Sequence, residues 1–313
     1  LLLHLSMHYY LSMHPGSQSS RTPYRGRFAP SPTGPLHFGS LLAALASYLD
    51  ARKHQGEWLL RMEDLDPPRE VPGAADQILQ TLEQFGLHWD RSVVYQSHRH
   101  DLYQQAIERL LKQQQAYYCE CSRQQIAARG RVYTGHCRTR QERIRGPKAI
   151  RLKAGSDNIC FEDRIQGSQQ QQLSSYCGDF VIRRKDLLYA YQIAVVCDDA
   201  EQQINHIVRG SDLLDSTPRQ LYLQHLLGYP QPCYAHIPVM VNDQGQKLSK
   251  QTYATALDDR HPEKALFRAL QVLGQRPPAS LNGARVDELL QWGVANWRVA
   301  AVPQHMTVDQ VEI

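Results

Sequence analysis

No stretch of this sequence approaches the ~18 consecutive apolar residues of a membrane-spanning helix, so no membrane partner is expected. The N-terminal stretch also lacks the basic start and unbroken apolar segment of a secretory signal. Residues 1–23 instead mix Leu, His and Ser with Met7 and Met13, and are expected to be a disordered leader or an extension upstream of a start at one of those methionines. Seven cysteines, an odd number, give no disulfide framework and suit a reducing, cytoplasmic location. No internal repeat is evident. The glutamine patches at 113–115 and 169–172 are too short to imply aggregation and are expected to mark solvated ends or loops. Nor does one sign of charge dominate: 35 Lys and Arg against 31 Asp and Glu leave a net charge of +4, which permits a nucleic-acid partner without requiring one.

What is present is a chain of 313 residues, 42% hydrophobic and 21% charged, able to bury a sizeable core in about two domains. Its most informative stretch is residues 27–40, RFAPSPTGPLHFGS. Residues 24–29 read as a short strand. Residues 41–51 read as an amphipathic helix with Leu41, Leu42, Leu45, Tyr48 and Leu49 on its buried face. The loop between them therefore ends at a helix N-terminus, whose unpaired N–H groups and partial positive charge favour phosphate. Gly39 lets a ligand approach the backbone, and His37 offers an N–H to a phosphate oxygen. Taken alone, the stretch is equally compatible with an ordinary Pro/Gly turn.

A second signal lies much further along. The apolar run 237–241 is followed by the turn residues Asn242, Asp243, Gln244 and Gly245, and then by Lys247-Leu248-Ser249-Lys250. Two lysines three apart make a compact cationic loop suited to neutralising a triphosphate under attack. An isolated pair of this kind is more often a solvated charge pair. Together, however, the two segments resemble the HIGH and KMSKS signatures of class I aminoacyl-tRNA synthetases, and the flanking residues narrow the resemblance to the glutamyl-tRNA synthetase family. It covers roughly residues 24–251. Ser40 stands where the signature has its second His, and Leu248 where it has Met. The resemblance implies an α/β fold, a Rossmann-type parallel sheet split by an inserted acceptor-binding-like region. It also implies ATP as substrate, with His37, Gly39 and Lys250 binding it and His37, Lys247 and Lys250 acting in catalysis. Mg²⁺ is expected to accompany the triphosphate.

Cys119, Cys121, Tyr133 and Cys137 form a third signal, soft and oxygen donors in a span short enough to close around one ion. A closed four-ligand tetrahedral site is the structural kind of Zn²⁺ site. On spacing alone, unrelated buried thiols are a strong alternative, and His136 is a competing ligand. The pattern is similar to the zinc site of a truncated branch of the family, the glutamyl-Q tRNA(Asp) synthetases, where a Tyr is the fourth ligand; this resemblance favours Tyr133. Cys160, Cys177, Cys197 and Cys233 read as ordinary packing residues.

A glutamate pocket needs cations, an acid and hydrogen-bond donors on separate elements. Arg27 borders the first strand and Glu63 ends a strand-like run, and both would converge beyond the carboxyl ends of a parallel sheet. By family correspondence Arg27, Ala29, Ser31, Glu63, Tyr191 and Arg209 contact L-glutamate. Asp198 and Asp199 suit either a site-orienting role or an ordinary helix end, and the family's Asn before them is absent.

The expected layout is a first Rossmann half at 24–118, a zinc-bearing insertion at 119–178, a second half at 179–251 and a helical region at 252–313 with Leu266, Leu270 and Leu273 inward. Helices are expected at 71–86, 99–115 and 218–227, and strands at 149–153 and 180–184. Only 63 residues follow Lys250, too few for an anticodon-reading domain. The resemblance to the truncated branch implies a ligase that activates glutamate without tRNA. It then transfers the glutamate to the queuosine base at the wobble position of tRNA(Asp), recognised on a presented anticodon loop, and a monomer is expected. The alternatives are a truncated synthetase charging a tRNA 3′ end, a non-enzymatic zinc module binding RNA, and a nucleotidyltransferase for a small acid.

Overall fold

A computed structural model describes residues 22–130, 132–139, 146–241, 257, 258 and 260–309. Residues 1–21 of the expected leader, and Lys247 and Lys250, lie outside the described residues.

The described chain opens with β1 (Arg25–Phe28), α1 (Phe38–Lys53) and β2 (Glu57–Met62), a crossover unit whose two strands pair in parallel. After α2 (Ala74–Gln84), β3 (Val94–Tyr95) extends this sheet in parallel beyond β2. There follow α3 (His100–Lys112), β4 (Ala116–Cys119), α4 (Arg123–Ala127), β5 (Ala149–Leu152), the hairpin of β6 (Asn158–Asp163) and β7 (Gly167–Gln172), α5 (Leu173–Tyr176) and β8 (Phe180–Arg183). Then come α6 (Tyr191–Glu201), β9 (His206–Gly210), α7 (Thr217–Leu227), β10 (Cys233–Ile237), β11 (Val239–Val241), α8 (Pro262–Val272), α9 (Val286–Asn296) and β12 (Thr307–Asp309).

β9 and β10 pair in parallel, and β1 runs beside β9. Asn205 joins the two: its N–H donates to the Arg25 carbonyl at 3.1 Å, and its side-chain oxygen accepts from the Arg25 N–H at 2.8 Å. The resulting order β3-β2-β1-β9-β10 is that of a doubly wound sheet, with its topological switch between β1 and β9. α7 has Pro218 in its first turn and ends on Gly228 in the left-handed region at φ 65°.

The stretch expected to form an insertion divides in two. β6 pairs in parallel with β10 and brings β7 to the edge of the main sheet, so Gln169–Gln172 lie in a strand rather than in a loop. β5 sits between β4 and β8 in a separate antiparallel sheet, so boundaries at 119 and 178 would separate its outer strands from its middle one.

α1 is buried on nearly all sides, more than a one-faced helix would be. Ser47 and Asp50 are buried with the leucines, and each has partners. Leu45 and Leu49 pack in one cluster with Trp58 and Leu60 of β2 and with Leu266, Leu270, Leu273 and Leu289 of the C-terminal helical region. Asp50 ties four segments together. It accepts from Tyr24 Oη at 2.5 Å, from Arg164 Nη1 at 2.5 Å and Nη2 at 3.1 Å, and from Trp297 Nε1 at 2.9 Å. No helix among the described residues is long and apolar enough to cross a membrane.

Replacing Asp50 by Ala would leave three donors unmet and the Arg164 charge uncompensated. Asp50→Ala is expected to lower unfolding free energy by about 3 kcal/mol, measured by urea denaturation. A loss near zero would refute Asp50 as the tie.

Candidate active site

Ligands of doubly wound sheets sit beyond the carboxyl ends of the strands at the switch point. Here that point is the end of β1 and β9, and four of the residues expected in a pocket converge on it. Arg27 is on β1, Arg209 on β9, Tyr191 opens α6, and Glu63 follows β2, with its N–H bonded to the Pro30 carbonyl at 2.9 Å. Ala29 and Ser31 lie in the loop after β1, Ala29 half-buried and Ser31 exposed.

Asp199, on the buried face of α6, takes Arg27 Nε at 3.2 Å and Arg61 Nη2 at 2.8 Å. Asp198 beside it takes Arg99 Nε at 2.7 Å, Gln96 Nε2 at 2.7 Å and the Tyr103 hydroxyl at 2.9 Å. The acidic pair therefore forms the centre of a buried network rather than a solvated helix end. Arg61 is fully buried and also stands 3.6 Å from Glu63 Oε1. Burial pushes the Asp199 carboxyl up, but Arg27 and Arg61 outweigh it and hold it below the usual carboxylate range. For Glu63 the balance reverses. Burial, reinforced by Asp199 and Asp198, overcomes Arg61 and Arg27 and raises its carboxyl to about 7. Glu63 Oε1 is buried and makes no hydrogen bond.

Arg209 differs from Arg27 in its partners. Its Nε donates to His236 Nε2 at 3.0 Å, its Nη2 to Thr217 Oγ1 at 2.8 Å and its Nη1 to the Tyr191 hydroxyl at 3.4 Å. Burial raises the Tyr191 hydroxyl, with Arg209 and Arg27 opposing and Glu63 and Asp199 adding, so Tyr191 lies within electrostatic reach of all four. An acid with an open oxygen and a guanidinium held by neutral groups suit a zwitterion that carries additional negative charge.

His37 caps α1, its Nδ1 accepting from the Ser40 N–H at 3.3 Å, which puts the ring proton of the neutral form on Nε2. Gly39 allows this arrangement, because a Cβ there would lie 3.1 Å from His37 Cε1. The same Cβ position is 4.0 Å from Met240 Cγ on β11, and the Leu257 N–H donates to the Leu36 carbonyl at 3.0 Å. The chain thus leaves toward Lys247 and Lys250 beside the entry to α1 and returns to the same place.

Cys119, Cys121 and Cys137 are buried, with their Sγ atoms all within 4.8 Å of one another. The Tyr133 hydroxyl lies 3.2 Å from Cys119 Sγ and 3.6 Å from Cys121 Sγ, and Cys121 Sγ lies 3.5 Å from Cys137 Sγ. Ligand bonds of about 2.3 Å to sulfur and 2.1 Å to oxygen give tetrahedral edges of ~3.5–3.8 Å, so three sulfurs and one phenol oxygen fit one zinc ion. His136 is exposed and outside this group. Gly178 fixes Tyr133: its φ is +65°, and a Cβ there would lie 2.1 Å from the Tyr133 carbonyl. Of the four cysteines read as packing residues, only Cys197 is buried; Cys160 and Cys233 are exposed.

Arg61, Asp163, Thr217 and His236 are buried polar residues of the site that sequence reasoning did not single out. Arg61 alone carries a clear local signal, a charged side chain inside the apolar strand run Leu59-Leu60-Arg61-Met62.

Residues 24–300 match the catalytic domain of the tRNA synthetases class I (E and Q), and the chain belongs to that family. A glutamate tRNA ligase from Elizabethkingia meningosepticum, solved in complex with its amino acid, superposes with a TM-score of 0.77 at 25% identity over 92% of this chain and 67% of its own. Within the family the chain groups with the glutamyl-Q tRNA(Asp) synthetases. It is 52% identical to the protein of that name from Pseudomonas fluorescens, over 94% of this chain and 99% of the relative. It is 54% identical to that of Chromobacterium violaceum, over 91% and 97%.

Glu63 makes a pH signature. Its folded value, about 7, lies above the ordinary 4.5, so its contribution to stability is complete below about pH 4.5 and is lost as pH rises through about 7. Wild type is expected to lose more of its urea midpoint between pH 6 and 8 than Glu63→Gln, which stays neutral. Equal losses would contradict the assignment.

Proposed function

We propose that this protein activates L-glutamate with ATP in the absence of tRNA, forming glutamyl-adenylate and pyrophosphate, and then transfers the glutamate to the queuosine base at the wobble position of tRNA(Asp). The observation that carries the first step is the pairing of an acid with an open oxygen, Glu63, and a guanidinium with only neutral partners, Arg209, at the switch point. Glu63 receives the substrate ammonium. Arg209, Tyr191 and Arg27 orient its carboxylates, with Ala29 and Ser31 in the flanking wall. The relatives' printed name supports the tRNA(Asp) acceptor.

A carboxylate oxygen of glutamate attacks the α-phosphorus in line, and the bond to the bridging oxygen of pyrophosphate breaks. His37 Nε2–H and the N–H groups of Gly39 and the start of α1 hold phosphate oxygens. Lys247 and Lys250 neutralise the charge that develops on the leaving group. Mg²⁺, when bound with the triphosphate, would supply charge neutralisation at its oxygens. A hydroxyl of the queuosine ring then attacks the adenylate carbonyl and AMP departs. Cys119, Cys121, Tyr133 and Cys137 would hold Zn²⁺ at the end of β4, and four protein ligands would make its role structural. Such thiolates persist in a reducing cytoplasm.

Glutamate-dependent ATP–pyrophosphate exchange without tRNA is the direct test. The wild type is expected to exchange, and Lys250→Ala to lose at least about a hundredfold in kcat, the range for removing one group that stabilises transition-state charge. Absence of exchange in the wild type, or full activity in Lys250→Ala, would sink the proposal. Metal analysis is expected to find one zinc per chain, lost in Cys121→Ser and more weakly held in Tyr133→Phe. Zinc-free folded protein would remove the assignment.

A further inference from the structure

Arg209 is held on three sides by groups that carry no charge. Its partners are His236 Nε2, Thr217 Oγ1, the Tyr191 hydroxyl and, at 3.5 Å, the Leu213 carbonyl. The carboxylate in this chain of contacts, Asp163, stands behind the imidazole: its Oδ2 lies 2.6 Å from His236 Nδ1. Asp163 Oδ1 is taken up by three backbone N–H groups, those of Ile165 at 3.0 Å, Gln166 at 2.9 Å and His236 at 3.1 Å. Both residues are buried.

The donors fix the tautomer. Arg209 Nε can only donate, so His236 Nε2 must accept, and the ring proton sits on Nδ1 and donates to Asp163. Burial, with Arg209 adding to it, lowers His236 to about 4 against the pull of Asp163, which keeps the ring neutral at physiological pH.

We infer that Asp163 and His236 are positioning residues that hold Arg209 toward a carboxylate of the amino-acid substrate while leaving its charge uncompensated. A carboxylate in direct contact with Arg209 would fix it equally well but would compete with the substrate for the same guanidinium, as Asp199 does for Arg27. The neutral imidazole transmits orientation without that competition. Because Asp163 belongs to β6, the hairpin between the two halves of the parallel sheet has a part in substrate affinity. This inference rests on the assignment of Arg209 to glutamate binding.

The test exploits the fixed oxygen of Asp163. In Asp163→Asn the amide oxygen must remain on the three backbone N–H groups, so the NH₂ faces His236 Nδ1. The imidazole then has to accept at Nδ1 and carry its proton on Nε2, where it meets the Arg209 N–H head on. The change is nearly isosteric, yet it sets two donors against each other. Asp163→Asn is expected to raise the glutamate KM in ATP–pyrophosphate exchange about tenfold or more, the effect of one lost hydrogen bond to a charged group. The ATP KM should stay near wild type.

Nitrogen-15 NMR of the histidine rings supplies a readout independent of activity: His236 protonated on Nδ1 in the wild type and on Nε2 in Asp163→Asn. A wild-type ring protonated on Nε2 overturns the inference whether or not the variant folds. An unchanged glutamate KM despite the tautomer swap overturns it equally, as does a parallel rise in the ATP KM. Absence of exchange in the wild type would instead defeat the glutamate assignment, leaving the NMR result to decide whether Asp163 and His236 fix Arg209.

Discussion

The arrangement of the site depends on Asp199, one carboxylate shared by two guanidiniums beneath the ends of β1 and β2. Burying ions away from water is costly, and such pairs rarely add net stability over apolar packing. Their value here is geometric. Asp198 and Asp199 of α6 face Arg27 of β1, Arg61 of β2 and Arg99, just before α3, so these elements have little freedom to shift independently. That rigidity fixes the positions from which Glu63, after β2, and Tyr191, at the start of α6, reach the switch point.

Within this network each guanidinium meets a carboxylate, and beside it the pairing is left incomplete. Arg209 lies outside this network among neutral partners, and both it and Glu63, with its open oxygen, lie within electrostatic reach of Tyr191. A ligand that brings an ammonium and carboxylates completes both halves. The phosphate end is organised by different physics, a helix start covered by His37 over Gly39, with little side-chain charge of its own among the described residues. Lys247 and Lys250, which fall in sequence between Met240 beside Gly39 and Leu257 bonded to Leu36, are the complementary source of positive charge in the proposed reaction.

Local signals in the sequence locate the helix entry at His37 and Gly39, the strand that ends at Glu63 and the cysteine group, because each depends on neighbours within a few residues. The buried network is not legible in the same way. Asp199 pairs with residues 138 and 172 positions away, so its sequence context is that of an ordinary helix end. Arg61 in an apolar strand does carry a local signal, since an unpaired charge there would be prohibitive. His236 and Asp163 lie 73 positions apart and meet only because β6 crosses to pair with β10. The same crossing makes a strand of the glutamine-rich segment, whose composition alone suggests a loop. α1 is buried more completely than its periodicity predicts, because the C-terminal helices cover its second face.

The central claim is that an activated glutamate made at this switch point goes to a modified anticodon base and not to the end of a tRNA. It is tested most directly by charging periodate-oxidised tRNA(Asp) with radiolabelled glutamate. Oxidation destroys the 3′-terminal diol, so labelling that survives it in queuosine-containing tRNA and vanishes in queuosine-free tRNA is the predicted result. Labelling abolished by oxidation, or equal with and without queuosine, would contradict the account.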